Sequence, residues 1–403
     1  MTDTARTRLI IFGHVALVGL SIGVYRWSRH GKQATAATPA AVAARPAAGQ
    51  APAATRDGGR IQVALLLDTS SSMSGLIDQA RSQLWKIVTR LDSARRAGQR
   101  PAVEIALYEY GNSGRGRAAD GWIRRIVPLT TDLDRVSEAL FGLNTNGGEE
   151  YAGQVIQTAT RELQWSAVPG DLKMIFVAGN EPFTQGPISP DAAIGAARQR
   201  GIHVNVVHCG GDDPTWREGA RLARTDYLMI DHNQVVAHVA APQDAEIARL
   251  GAELNGTYIA YGAEGQAGSS RQATQDANAV SAQPGSMVWR SIGKSSGSYR
   301  NSTWDLGDAV KEGKADLGKM QAADLPEAMR RMTPAERAAH VSGKLAERAR
   351  IAKRIRDLNG EREKFVAAER AKQAGPGAGA ASLDSAMLRT SKAQAQAAGF
   401  LLD

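Results

Sequence analysis

Three short apolar-rich runs limit what this chain can fold into. Residues 61–67 are apolar except for Gln62, and residues 172–178 and 202–208 are of similar length and character. Each run is too short for an ordinary helix and reads as a strand buried within a parallel sheet. Between them the period changes. Residues 75–93 carry Leu76, Ala80, Leu84, Ile87, Val88 and Leu91 on one helical face. Residues 132–141, 151–165, 190–200, 216–223 and 245–254 also read as helices, with further strands at 227–230 and 258–261. Residues 103–110 and 122–129 are strand-like and joined by a loop containing Gly111, Gly114 and Gly116, which predicts an antiparallel pair. Strands alternating with helices predict an α/β fold: a doubly wound, Rossmann-like, mostly parallel sheet with helices on both faces. In such sheets ligands bind beyond the carboxyl ends of the strands.

Composition divides the rest of the 403 residues. Residues 1–32 hold a nearly continuous apolar segment at 9–25, with Arg6 and Arg8 before it and Arg26, Arg29 and Lys32 after it. That pattern reads as a signal peptide or a membrane anchor. Residues 33–59 are an Ala/Pro-rich linker, and the strand-and-helix texture spans 60–262. Residues 263–302 read as a Gly/Ser-rich loop, 303–373 as a helical extension, and 374–403 as a low-complexity tail. Thr333-Pro334-Ala335-Glu336 is a capping box with proline at the first helical position. It opens a helix whose thin apolar stripe suits docking on the same chain better than a coiled-coil seam.

The net charge of +8 raises the question of nucleic acid, but the basic residues cluster at 6–32 and, interleaved with acids, at 337–372. No aromatic stacking platform accompanies them, so nucleic acid is not expected as a partner. The single cysteine, Cys209, excludes an internal disulfide and sits in an apolar context that suits a small core residue.

The chemistry concentrates where the first strand ends. Val63 through Leu67 run straight into Asp68-Thr69-Ser70-Ser71-Ser72, and an amphipathic helix follows at once. One carboxylate and two hydroxyls then converge at a strand's carboxyl end. Hard oxygen donors of this kind suit Mg²⁺, Mn²⁺ or Ca²⁺, with water or a ligand oxygen completing the shell. A serine-rich helix cap is the structural alternative. Gly293-Lys294-Ser295-Ser296-Gly297 fits two other motifs, a nucleophile elbow and the end of a phosphate-binding loop, but lacks the strand-to-helix turn of the first and the leading glycine of the second. His203, His208, His232 and His238 have no zinc spacing. Asp212 and Asp213 read as a solvated turn.

At Asp68, Ser70 and Ser72 the sequence resembles the von Willebrand factor type A (VWA) family, whose metal-ion-dependent adhesion site opens with this motif, and the resemblance extends over about 60–262. It implies Asp68 acting partly through water, with Ser70 and Ser72 coordinating through their hydroxyls. Where the family has a threonine after paired glycines, Gly147 and Gly148 are followed by Glu149, with Thr145 nearby. Where it has an aspartate after a buried strand, Gly179 stands, followed by Asn180 and Glu181. The resemblance therefore implies a metal site of Asp68, Ser70, Ser72 and Glu149, with Asn180 or Glu181 as alternatives to the missing aspartate, and these departures resemble a bacterial envelope-associated subgroup. The expected function is non-catalytic, divalent-cation-dependent binding of a protein or other acidic ligand. Mg²⁺ is the expected ion. The expected place is the cell envelope, exported or membrane-anchored on the periplasmic side. Two alternatives stand beside it: a metal-assisted hydrolase, against which no base–nucleophile pair is visible, and a structural scaffold with a degenerate metal site.

Overall fold

The computed structural model describes residues 58–231, 238–373 and 383–401, all within the unit Ala54–Asp403. The signal or anchor segment and nearly all of the linker lie outside the described residues. Among those described, no helix is long and apolar enough to cross a membrane.

Six strands form the sheet: β1 (Arg60–Asp68), β2 (Ala102–Tyr110), β3 (Arg124–Thr130), β4 (Leu172–Gly179), β5 (His203–Cys209) and β6 (Leu228–Ile230), in the order β3-β2-β1-β4-β5-β6. All pairs are parallel except the expected antiparallel β2–β3, which carries register irregularities. β1 pairs with β2 from Arg60↔Ala102 to Asp68↔Tyr110, and with β4 from Ile61↔Leu172 to Leu67↔Ala178. The strand order reverses at β1, so the crevice between the carboxyl ends of β1 and β4 is the topological switch point. Asp68 stands there.

Because β1 is paired on both edges, its side chains alternate between two cores. Ile61, Val63, Leu65 and Leu67 join the core beneath α1 (Ser74–Asp92) and α2 (Leu133–Phe141), whereas Ala64 and Leu66 join the core beneath α3 (Ala152–Glu162), α4 (Pro190–Gln199) and α5 (Pro214–Ala223). Cys209 is buried in the first core, as its context implied. Beyond the sheet come α6 (Asp244–Asn255), α7 (Gly265–Ser281), α8 (Ser286–Lys294), α9 (Leu306–Lys311) and the 40-residue α10 (Pro334–Gln373). Ile247, Leu250, Val288, Ile292, Ile351 and Ile355 build a separate core among α6, α8 and α10. The stripe on α10 thus docks on its own chain. At the start of α10, Thr333 and Glu336 exchange the reciprocal bonds of a capping box.

Two segments differ from their compositional reading. Residues 263–302, expected as a loop, contain α7 and α8. α7 hides its face behind small and polar residues: Gly268 lies so close to Trp304 that a Cβ would come within 2.2 Å of Cγ. Gln272 bonds the Tyr299 hydroxyl at 3.0 Å, and the Ser137 hydroxyl donates to Gln275 at 2.8 Å. Apolar periodicity cannot register such a helix. Within the expected tail, α11 (Leu383–Ala397) packs with Leu383, Ala386, Met387 and Ala395 in the α1-side core, over Val207 and Ile230. Asn205 of β5 and Gln394 of α11 form a buried amide pair at 2.6 and 3.2 Å. Phe400 is fully buried, and Leu401 exchanges backbone bonds with Arg95 at 2.7 and 2.8 Å.

α11 therefore fills a place in the helix layer that no earlier helix among the described residues takes. Burying a Leu, Met or Phe contributes roughly 1.5–3 kcal/mol each, so losing Leu383, Met387 and Phe400 removes roughly 5–9 kcal/mol, the scale of a domain's whole stability. Truncation after Gln373 should greatly lower the unfolding midpoint or abolish cooperative unfolding, as followed by circular dichroism. A midpoint equal to that of the full chain would show that α11 is dispensable.

Candidate metal centre at the end of strand β1

Asp68 is completely buried as the last residue of β1. Its Oδ1 accepts the Ser70 amide at 2.7 Å, and the Met73 amide closes a turn on the Ser70 carbonyl at 3.0 Å. This turn presents Ser70 Oγ and Ser72 Oγ 3.4 Å apart. From the neighbouring strand end, Asn180 Nδ2 donates to Ser72 Oγ at 3.2 Å. The loop carrying Gly147 and Gly148 is drawn in by two bonds, Asn146 N to Thr69 O at 3.0 Å and Ser113 N to Gly147 O at 2.9 Å.

That loop brings Glu150 to the cluster, not Glu149. Glu149 is exposed and accepts a hydrogen bond from the Tyr151 hydroxyl. Glu150 is only 7 % exposed, and its backbone amide is held by Gln185 Oε1 at 2.7 Å. Gly111 makes the approach possible. It has φ +77°, and a Cβ there would lie 2.7 Å from Glu150 Cγ and 2.8 Å from Asp68 Oδ1. Thr145 is half-buried on the same loop, and Glu181 is exposed at the rim. Asp212 pairs with Arg217, while Asp213 caps α5 by accepting from the Thr215 and Trp216 amides at 2.7 and 3.1 Å. Both aspartates thus keep the turn role expected of them.

Gly179 is the second departure from the resemblance with a visible cause. A Cβ at this position would fall 2.4 Å from the Tyr110 hydroxyl, which donates to the Ala178 carbonyl at 3.0 Å, and 3.2 Å from Asp68 Oδ2. Tyr110 fills the space a side chain would need.

The electrostatics are those of a site short of positive charge. Burial pushes the Asp68 carboxyl up to about 7, against bonds from Ser70 that pull it down, and Glu181 adds to the rise. Burial and then the Asp68 charge push Glu150 up to about 8. Asp68 Oδ2 and Glu150 Oε2 are buried with no hydrogen-bond partner. Two such oxygens beside two hydroxyls fit a hard divalent cation. Among the described residues no three His, Cys, Asp or Glu side chains gather as ligands, so water or a ligand oxygen would complete the shell.

Residues 62–222 match the profile of the von Willebrand factor type A domain. This chain carries a VWA domain. No curated protein matches the chain. Among solved structures, proximal thread matrix protein 1 from the mussel byssus, with a zinc-occupied MIDAS motif, is 15 % identical with a TM-score of 0.34, covering 43 % of this chain and 42 % of its own. The SpRpn10 VWA domain is 15 % identical with a TM-score of 0.32, covering 44 % of this chain and 100 % of its own. The pilus adhesin SpaC from Lactobacillus rhamnosus GG, in its open conformation, is 14 % identical with a TM-score of 0.30, covering 42 % of this chain and 27 % of its own. The chain thus spans about two-fifths of the length of the thread matrix protein it matches.

The VWA domain's two raised carboxyls set a pH dependence. Both bind protons more tightly folded than at their ordinary values of 3.8 and 4.5. The folded state is therefore favoured by proton binding, and that contribution is lost as pH rises from about 4 to about 8. Without divalent cation, the unfolding midpoint should fall across this window more steeply in the wild type than in an Asp68→Asn, Glu150→Gln double variant. Saturating Mg²⁺ should offset the fall at the alkaline end. Parallel pH profiles for the two proteins would refute the charge assignment.

Proposed function

We propose that the VWA domain is a non-catalytic interaction module that captures an acidic group of a protein ligand through a divalent cation, with Mg²⁺ the expected ion. The observation that carries this reading is the pair of buried, unpartnered carboxyl oxygens on Asp68 and Glu150. Left alone they repel each other and bind protons more readily than ordinary carboxyls. A dication between them satisfies both and makes the site acceptor-seeking instead of anion-repelling. Asp68 and Glu150 would supply charge, Ser70 and Ser72 neutral oxygens, and Asn180 would orient Ser72. When bound, the cation supplies an open coordination position for a ligand carboxylate. The apolar segment 9–25 with its flanking arginines supports placement at the cell envelope.

Calorimetric titration with Mg²⁺ and Mn²⁺ tests the cation. Asp68→Ala and Glu150→Gln should each weaken binding by roughly ten- to a hundredfold, the scale of one charge-assisted contact. Glu149→Thr should leave the affinity unchanged, because its carboxylate faces Tyr151. Equal affinities for the wild type and Asp68→Ala would remove the basis of the proposal, and loss with Glu149→Thr alone would return the loop's role to that residue. Crosslinking of envelope proteins to the full chain with and without chelator then tests the ligand class: partners captured only in the absence of chelator are expected.

A further inference from the structure

Beyond the sheet, a buried lysine is held against an asparagine, with one aspartate bridging the two. Gly251 of α6 lets α8 approach closely: a Cβ there would lie 2.0 Å from Ser291 Oγ. Lys294, the last residue of α8, and Asn255, the last of α6, each lie about one turn beyond that contact and therefore meet. Lys294 Nζ donates to Asn255 Oδ1 at 2.6 Å, to Asp276 Oδ2 at 2.7 Å and to the Gly251 carbonyl at 2.9 Å. Asn255 Nδ2 donates to the same Asp276 oxygen at 2.7 Å. One carboxylate oxygen of α7 thus touches both the amine and the amide nitrogen, while Arg290 Nε holds the other oxygen at 2.7 Å.

The surroundings favour an uncharged amine. The Lys294 side chain is fully shielded from solvent, and Leu250, Leu254 and Ile292 of the same two helices form an apolar core. Burial brings the Lys294 amine down to a pKa of about 8, with Asp276 opposing the shift and Arg290 assisting it. Burial works against ionisation of Asp276, but Lys294 and Arg290 outweigh it and hold that carboxyl below its ordinary range. A readily deprotonated amine, an ionised base and an amide are therefore in mutual contact.

We propose that Lys294 and Asn255 form an isopeptide bond that staples α8 to α6. Asp276 Oδ2 takes a proton from Nζ, the freed lone pair attacks Asn255 Cγ, and the same oxygen passes the proton on to Nδ2. The Nζ–Cγ bond forms and the Cγ–Nδ2 bond breaks. The two protons that leave Nζ depart on the released nitrogen as an ammonium ion, so charge is conserved and no co-reactant is needed. The product closes a loop between residues 39 positions apart, around α7. With Cys209 as its single cysteine the chain cannot form an internal disulfide. The isopeptide bond imposes the same kind of loop constraint on the unfolded chain.

Intact-mass spectrometry of the denatured full chain tests the bond. The mass should be lower by one ammonia than that calculated for its measured termini, and a proteolytic digest should contain a branched peptide joining Asn255 to Lys294. Lys294→Met and Asp276→Asn should each show the full calculated mass. Full mass in the wild type would overturn the proposal whether or not the variants fold, because a purely ionic network predicts that result. Asn255-Gly256 offers a competing route to the same mass loss, since the Gly256 amide can close a cyclic imide on the Asn255 side chain. An ammonia loss that persists in Lys294→Met, or that maps to a linear peptide, would assign the imide and likewise overturn the staple. A branched peptide still formed by Asp276→Asn would overturn the route through Asp276.

Discussion

The structure turns on one strand that has no free edge and no exposed face. β1 lies between β2 and β4, is buried along nearly its whole length, and feeds alternate side chains into two cores. A strand held on four sides cannot shift register without moving its entire apolar set into the wrong core. Whatever follows its last residue is therefore fixed in space. The chain spends this rigidity on a carboxyl whose proton affinity burial raises, to a pKa of about 7. A cation would favour the charged form of Asp68, and likewise that of Glu150, which a different loop brings alongside. The fold supplies the position, and on the proposed function the repulsion between the two carboxyls would be relieved by a cation.

The parts of this arrangement that could be read from the sequence are those with a strong local signal. The apolar runs at β1, β4 and β5 and the Asp-x-Ser-x-Ser turn fall into that class, as does the antiparallel β2–β3 pair with its glycine-rich link. The choice between Glu149 and Glu150 does not. Adjacent residues in a non-repeating loop have no period to say which faces inward. The deciding contacts, Gly111 beneath Glu150 and Gln185 on its amide, come from 35 to 39 residues away in the chain. α7 and α11 are hidden for a related reason. The buried face of α7 is built from Gly, Gln and Ala, and that of α11 sets Leu383 and Met387 among Ala, Ser, Thr and Gln, so both resemble linker in composition.

The C-terminal extension meets the VWA domain through buried charge as well as through apolar packing, and further buried charges order the extension itself. Arg290 of α8 is fully buried, contacts Asp134 of α2 and Asp276 of α7, and sits 4.4 Å from the Trp85 ring centre on α1. Lys294, one turn on, bonds Asp276, Asn255 and the Gly251 carbonyl at 2.6–2.9 Å. Arg348 of α10 reaches Asp305, Asp308 and the Thr257 carbonyl and stacks 3.9 Å from the Tyr258 ring centre. Buried ion pairs add little net stability compared with well-packed apolar groups, but breaking one by removing a partner costs about 3–5 kcal/mol. Such contacts therefore select one docking arrangement more than they strengthen it. Together with α11, they make the extension part of the domain's own packing and not a separate module on a tether.

The exchange of side chains around Asp68 gives the site its particular character. Tyr110 occupies the volume beside Gly179, so residue 179 cannot itself contribute a carboxylate. The second negative charge arrives instead from the opposite side, on Glu150. A threonine on that loop would offer a neutral oxygen; Glu150 offers a charged one. With two carboxylates as direct donors, a dication would be nearly neutralised before any ligand arrives, leaving less attraction for an incoming acidic group than a site with one direct carboxylate retains. On the proposed function, tight cation holding and modest ligand capture would follow from the same carboxylate. A module built this way depends on additional contacts around the cation to reach useful affinity, and the exposed rim carrying Glu149, Tyr151 and Glu181 is where those contacts would form. Its acidic groups would favour a ligand that places basic residues next to the carboxylate it offers to the metal.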